Sequence, residues 1–109
     1  MDQMKFERII TDQMSRSEVL LAGKGHEYAE GADTSQRIDR LAHFKKAAAL
    51  QGVTTAQAAF GMLTKHLVSV ADMVASGGEY PLEKWDEKIS DSINYLLILR
   101  AIVEEERPA

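Results

Sequence analysis

Apolar residues recur every three or four positions over most of the chain, which is the period of an amphipathic helix. The last such segment carries one stripe that we expect to face the core: Leu82, Trp85, Ile89, Ile93, Leu96 and Val103. Alternation of apolar and polar residues, which marks a half-buried strand, is nowhere sustained. The pattern therefore predicts an all-α protein, a three- to four-helix antiparallel bundle with short connections.

Capping residues divide this pattern into separate helices. Thr34 and Ser35 precede a segment over 36–51, and Gly52 follows it, which is the usual order of an N-cap and a C-terminal glycine. We expect the buried positions of this segment to be Ile38, Leu41, Phe44 and Ala48.

The next two helices have equally clear ends. Thr54 or Thr55 opens a segment that Gly77 ends, and Pro81 suits the first turn of the last helix, which runs to about residue 106. The first of these two carries an apolar stripe on which His66 also lies: Ala59, Met62, Leu63, Val70 and Met73. A histidine in that position is either a hydrogen-bonded core residue or a ligand-binding group.

A first helix is predicted over 4–22, followed by an irregular stretch over 23–33. This stretch contains three glycines, three acids, a histidine, a lysine and a tyrosine. Glycine favours turns and mobile backbone, so we predict a loop here. Such a loop is a candidate binding site by position, or else a solvated connector.

Composition narrows the class of protein. The chain has 109 residues, 45% of them apolar, which predicts a single domain over 1–109. It contains no cysteine, which excludes disulfides and thiolate zinc sites. The net charge of -4 argues against nucleic acid as the main ligand. The longest apolar run covers only 95–99, whereas a membrane helix needs about 20 residues, and no signal segment is present. A cytoplasmic, non-membrane protein is expected.

The last helix carries acids in line with a second apolar face. Glu87, Asp91 and Asn94 share a face that continues into Ile98 and Ile102. Carboxylates at the border of a buried contact are costly unless they are compensated, and a divalent cation would do this. Acids near a helix N-terminus are also common as solvated residues, so this second reading stays open.

The sequence lacks the motifs of several known classes of active or binding site. It has no phosphate-binding loop, no glycine fingerprint for dinucleotides and no His-Glu-x-x-His zinc pattern. Carboxylates and basic residues on helices remain, and oxygen ligands of this kind suit Mg²⁺ or Mn²⁺, which clamp phosphates.

Four short motifs together resemble a known group of proteins. They are Lys24-Gly25-His26-Glu27-Tyr28, Asp39-Arg40-Leu41-Ala42-His43-Phe44, Lys65-His66, and Trp85 to Asp91 followed by Ile93-Asn94-Tyr95-Leu96. In this order they resemble small phage-type helical proteins similar to the nucleotide-modification-associated proteins. More distantly, they resemble the all-α NTP pyrophosphatases of the MazG-like superfamily. The resemblance spans 24–103.

The resemblance implies a helical bundle, often a dimer or higher oligomer, that hydrolyses a nucleoside triphosphate to monophosphate and pyrophosphate with Mg²⁺. In that superfamily one helix carries Glu-x-x-Glu and a later one Glu-x-x-Asp. Asp91 fits the second motif, but Lys88 stands three residues before it and Glu87 four. The Glu-x-x-Glu of this chain, Glu27 to Glu30, falls in the predicted loop.

These considerations give a set of candidate site residues. Glu87, Asp91 and Asp72 would hold Mg²⁺ or Mn²⁺, and Asn94 would orient a ligand or a water. Phosphate contacts are assigned to Lys24, Lys65 and Arg40, base stacking to Tyr28, and further substrate contacts to Glu27, His66 and Tyr95. Two alternatives remain: a helical protein that binds a nucleotide or another protein without catalysis, and a purely structural oligomer module.

Overall fold

The computed structural model describes residues 1–29 and 39–108, with the backbone alone for 24–29. Within these residues the chain forms four α-helices and no strand, so the predicted all-α class is confirmed. The helices are α1 (Gln3–Ala29), α2 (Ala42–Gln51), α3 (Thr55–Ser76) and α4 (Leu82–Glu105). None of the helices described is long and apolar enough to cross a membrane. The chain divides into two compact units, 1–38 and 39–109.

Helix α1 begins at a capping aspartate and runs further than predicted. The Asp2 carboxylate accepts a hydrogen bond from the Lys5 backbone N–H at 2.7 Å. The helix then continues through Gly23 to Ala29, so the loop predicted over 23–33 is wrong for 23–29, and 30–33 lie outside the described residues. Glycine inside a helix costs roughly 1 kcal/mol relative to alanine, which weakens a helix without ending it.

Helix α2 begins later than the expected residue 36. Its first residue is Ala42, while 36–38 and the expected caps at Thr34 and Ser35 lie outside the described residues. The Leu41 N–H donates to the Asp39 carboxylate at 2.9 Å, and this turn leads into the helix. At the other end Gly52 has the predicted left-handed conformation, with φ of 69°.

Helix α3 has the ends that its sequence predicts. The Thr54 hydroxyl accepts from the Gln57 N–H at 3.0 Å, and the Gln57 side chain accepts from the Thr54 N–H at 2.9 Å. This reciprocal capping box satisfies two backbone donors that would otherwise have no partner in the helix. Gly77 ends the helix with φ of 63°.

Helices α3 and α4 pack against each other along their length, and α2 packs on α3. The five-residue connection between α3 and α4 makes this pair antiparallel. Four buried side chains form the apolar core at one end, namely Leu41, Phe44, Ala59 and Ile102. The apolar stripe predicted on α3 faces inward: Ala59, Leu63 and Met73 are buried, and Met62, His66 and Val70 are half-buried.

Helix α4 packs through the face opposite to the one predicted. Most of the expected core stripe is exposed, with Leu82 at 74%, Leu96 at 51%, Val103 at 39% and Ile89 at 36% of full exposure. The buried residues of α4 are instead Ser90, Ser92, Asn94 and Ile102. The core prediction for this helix is therefore wrong, because the face that it chose is apolar along the whole helix while the buried face is partly polar.

An ion-pair bridge joins the beginning of this unit to its end. The Lys45 ammonium contacts the carboxylates of Asp39, at 2.7 Å, and of Glu105. The hydrogen bond from Lys45, helped by the one from the Leu41 N–H, lowers the pKa of Asp39. The same two carboxylates raise the pKa of Lys45.

Removing the cap of α3 tests the assigned helix start. We expect Thr54→Ala to lower the free energy of unfolding by about 1 kcal/mol, because the Gln57 N–H loses its acceptor. Thr64→Ala is the matched control, since the exposed Thr64 hydroxyl only donates to a carbonyl of its own helix. Chemical denaturation measures both variants, and equal losses would contradict the cap assignment.

The Lys45 bridge predicts a specific pH dependence. The folded pKa of Asp39 is lowered, so its contribution to stability is present above the unfolded pKa of about 3.9 and is lost as pH falls through the folded value. We expect Lys45→Gln to lower the melting temperature by a few degrees at about pH 7 and by nothing near pH 2. Lys46→Gln, next to it on α2, controls for the loss of charge. A pH-independent difference would contradict the bridge.

Candidate functional site

His66 of α3 lies against Asp91 and Tyr95 of α4. Together with Asn94, which is one turn from Asp91 along α4, we call these residues the polar cluster. The Nδ1 atom of His66 lies 3.6 Å from the Oδ2 atom of Asp91, which is ion-pair range but too long for a hydrogen bond. Both side chains keep about a quarter of their surface exposed, 26% for His66 and 23% for Asp91. The cluster therefore has an edge that solvent can reach.

Aromatic contacts hold Tyr95 in place within the cluster. Its ring stacks on His66 with 4.9 Å between ring centroids and 26° between ring planes. Phe44 of α2 also meets it, edge to face, at 6.2 Å. Aromatic pairs in these geometries contribute on the order of 1 kcal/mol each beyond the area that they bury. The three helices of this unit thus meet at Tyr95.

The side chain of Asn94 is the least satisfied group of the cluster. It is 2% exposed, and neither its amide nitrogen nor its amide oxygen has a hydrogen-bond partner among the residues that the structure describes. Burying an unpaired amide costs roughly 1–3 kcal/mol. Almost all buried polar groups of folded proteins have a partner, so this exception indicates a ligand site, a bound water, or strain retained for specificity.

The structure brings some of the predicted site residues together and leaves others apart. His66, Asp91, Asn94 and Tyr95 form the cluster, in which Asn94 lies one turn from Asp91 on α4. Four others have exposed side chains, namely Arg40, Lys65, Asp72 and Glu87. Lys24, Glu27 and Tyr28 belong to α1 by their backbone, and their side chains lie outside what is described.

The predicted metal ligands do not form a closed site. Over the part of the chain that was described, no group of three His, Asp or Glu residues could hold a metal ion. Asp91 and the amide oxygen of Asn94 are nevertheless oxygen donors of the kind Mg²⁺ takes. Mg²⁺ commonly uses one or two carboxylates and fills its other positions with water and substrate phosphate. These residues fit an ion shared with a phosphate, not one held by protein alone, and Mg²⁺ binding stays a prediction.

Sequence reasoning missed that α4 buries two serines, on different sides of the helix. Ser90 and Ser92 are 1% and 8% exposed. The Ser92 hydroxyl donates to the Lys88 carbonyl at 3.0 Å, so the helix itself satisfies it. Small polar residues that can bond their own backbone are cheap to bury, which is a signal that hydropathy alone does not contain.

Comparison with known proteins adds nothing to this picture, because no family model, no curated protein and no solved structure matches the chain. The resemblance to nucleotide-modification-associated and MazG-like proteins therefore stays a prediction.

Replacing Asn94 tests whether its amide is unpaired in the folded chain. We expect Asn94→Leu, which keeps the branched shape, to raise the free energy of unfolding by about 1 kcal/mol because an unpaired polar group leaves the interior. Denaturant titration measures this change without any ligand present. A loss of stability above about 1 kcal/mol would mean that the folded protein itself pairs the amide.

Proposed function

We propose that this chain is a Mg²⁺-dependent, nucleoside triphosphate pyrophosphatase-like protein and that the polar cluster is its ligand site. The observation that carries the proposal is the buried Asn94 amide, which has no hydrogen-bond partner among the described residues. A group with unused donors and acceptors beside a half-buried carboxylate and an aromatic stack offers complementary contacts to a polar, planar ligand. Nucleotides combine such a base with a charged phosphate chain.

Each residue of the cluster has a role in this proposal. Asn94 orients the ligand through its amide, and Asp91 provides the carboxylate that a phosphate-bound Mg²⁺ would contact. His66 and Tyr95 offer the face and edge of their stacked rings to the base of the ligand. Neither polar atom of the Asn94 amide is accessible to solvent, so ligand entry requires the side chains that cover this amide to move.

The proposed reaction is attack by water on a phosphoanhydride bond, which releases a monophosphate and pyrophosphate. Mg²⁺, when bound, would neutralise the phosphate oxygens and thereby lower the barrier. Positioning and electrostatic stabilisation supply most of the rate in phosphoryl transfer, so Asp91 and Asn94 carry more of the expected effect than any proton acceptor.

A panel of canonical and modified nucleoside triphosphates with Mg²⁺ or Mn²⁺ tests the proposal. We expect at least one substrate to yield monophosphate and pyrophosphate, and Asp91→Asn to lower kcat/KM by roughly 100-fold. Glu83→Gln is the matched control, because Glu83 is an exposed acid in the first turn of the same helix. Equal effects of the two substitutions, or no turnover of any substrate, would contradict catalysis at the cluster.

A non-catalytic nucleotide or protein binder is the second candidate function. The observation that favours it is that Glu87 and Asp72, two of the three expected metal ligands, are exposed. Binding of a triphosphate that survives EDTA, with no product formed, would identify this function. Asn94→Leu would still abolish such binding.

The assembly belongs to the same proposal. We expect a homo-oligomer in the cytoplasm, supported by the apolar side chains that α3 and α4 expose, among them Phe60 at 56% and Leu96 at 51%. Exposed apolar groups in a row along a helix are typical of surfaces that another protein covers.

A further inference from the structure

We infer that α4 of one chain pairs antiparallel with α4 of a second copy, through the outer stripe Leu82, Ile89, Leu96 and Val103. This inference rests on the homo-oligomer that the proposed function includes and does not depend on catalysis. The four residues are seven positions apart and are all exposed, between 36% and 74%. Apolar residues seven positions apart form one of the two rows that paired helices use for a shared apolar contact.

The arrangement of the outer stripe favours a second copy over an unrelated partner. Positions 82 and 103, and positions 89 and 96, are symmetric about the point between residues 92 and 93. An antiparallel copy centred there sets Leu82 beside Val103 of the partner subunit and Ile89 beside Leu96 of the partner subunit. A two-fold interface must be self-complementary in this way.

Charges on the flank of the outer stripe nearly match this symmetry. Asp86 and Arg100 are symmetric about Ile93, half a residue from the centre of the stripe, so the antiparallel arrangement still sets Asp86 near Arg100 of the partner subunit, and the reverse. The Arg100 side chain is 67% exposed and already turns toward an acid, Glu104, at 3.5 Å. In a parallel pair the two equivalent flanks lie on opposite sides of the contact, so Asp86 and Arg100 would not meet.

The length of α4 is sufficient for a specific though modest contact. Its 24 residues span about 36 Å. Two such helices packed along their length bury on the order of 1,000 Å² in total, which is at the low end of specific interfaces. We therefore expect a dimer that dissociates in the micromolar range.

Light scattering and sedimentation over a series of protein concentrations test whether the outer stripe forms the dimer contact. We expect the full chain to dimerise and Leu96→Glu to raise the dissociation constant at least about 100-fold, because a charge would enter the centre of the contact. Leu50→Glu is the matched control, since Leu50 is 82% exposed on α2, away from the outer stripe. A monomer at about 100 μM, or equal effects of the two variants, would overturn the inference.

Cysteine cross-linking tests the orientation, because the chain has no cysteine of its own. In the antiparallel dimer, a mixture of Ile89→Cys and Leu96→Cys chains forms an intermolecular disulfide, whereas either variant alone does not. Seven residues of helix separate the like positions by about 10 Å, beyond the reach of a disulfide. The opposite pattern would indicate a parallel pair and overturn the arrangement. Nucleotide binding by Leu96→Glu, measured separately, distinguishes failure of the dimer from failure of the ligand site.

Discussion

The contact between α3 and α4 is the constraint on which the rest of this unit depends, because it places His66 against Asp91 and Tyr95 next to an apolar core. Ala59 and Ile102 close one end as part of that core. Further along α4, Asn94 is buried without a partner among the described residues. A contact built only for stability would place an aliphatic side chain there, since each unpaired amide costs roughly 1–3 kcal/mol. This buried amide is therefore the feature that any functional account has to explain.

The residues that α4 buries differ from those that it exposes. Ser90, Ser92 and Asn94 are buried, so the packed part of the helix is partly polar. The outer stripe, by contrast, carries an aliphatic residue at every seventh position and nothing in its own unit covers it fully. One face serves packing and a candidate ligand site, and the other is available for association. The two functions can then be changed independently by mutation.

The end of α2 and both ends of α3 were predictable from the sequence, while the choice of packed face on α4 was not. Thr54, Gly52 and Gly77 act locally, so a single residue type at a known position is enough to place a cap. The packed face of α4 depends instead on what α3 presents to it, and hydropathy favours the more apolar face, which is the exposed one. The end of α1 was predicted too early, because Gly23 and Gly25 weaken a helix but do not end it. The candidate site was partly predictable: His66, Asp91, Asn94 and Tyr95 were expected, but not that the Asn94 amide would be buried with no partner in the part of the chain that the structure describes.

The side-chain amide of Asn94 is also the most direct reporter of the central claim. Nuclear magnetic resonance shows the two amide protons as a pair of signals. The pair that disappears in Asn94→Leu is thereby assigned to Asn94. The account predicts that a non-hydrolysable nucleoside triphosphate with Mg²⁺ shifts this pair saturably, as the amide acquires partners. Two results would contradict a ligand site at the polar cluster. In one, these signals do not shift at any ligand concentration; in the other, they do not shift although the ligand is shown to bind elsewhere.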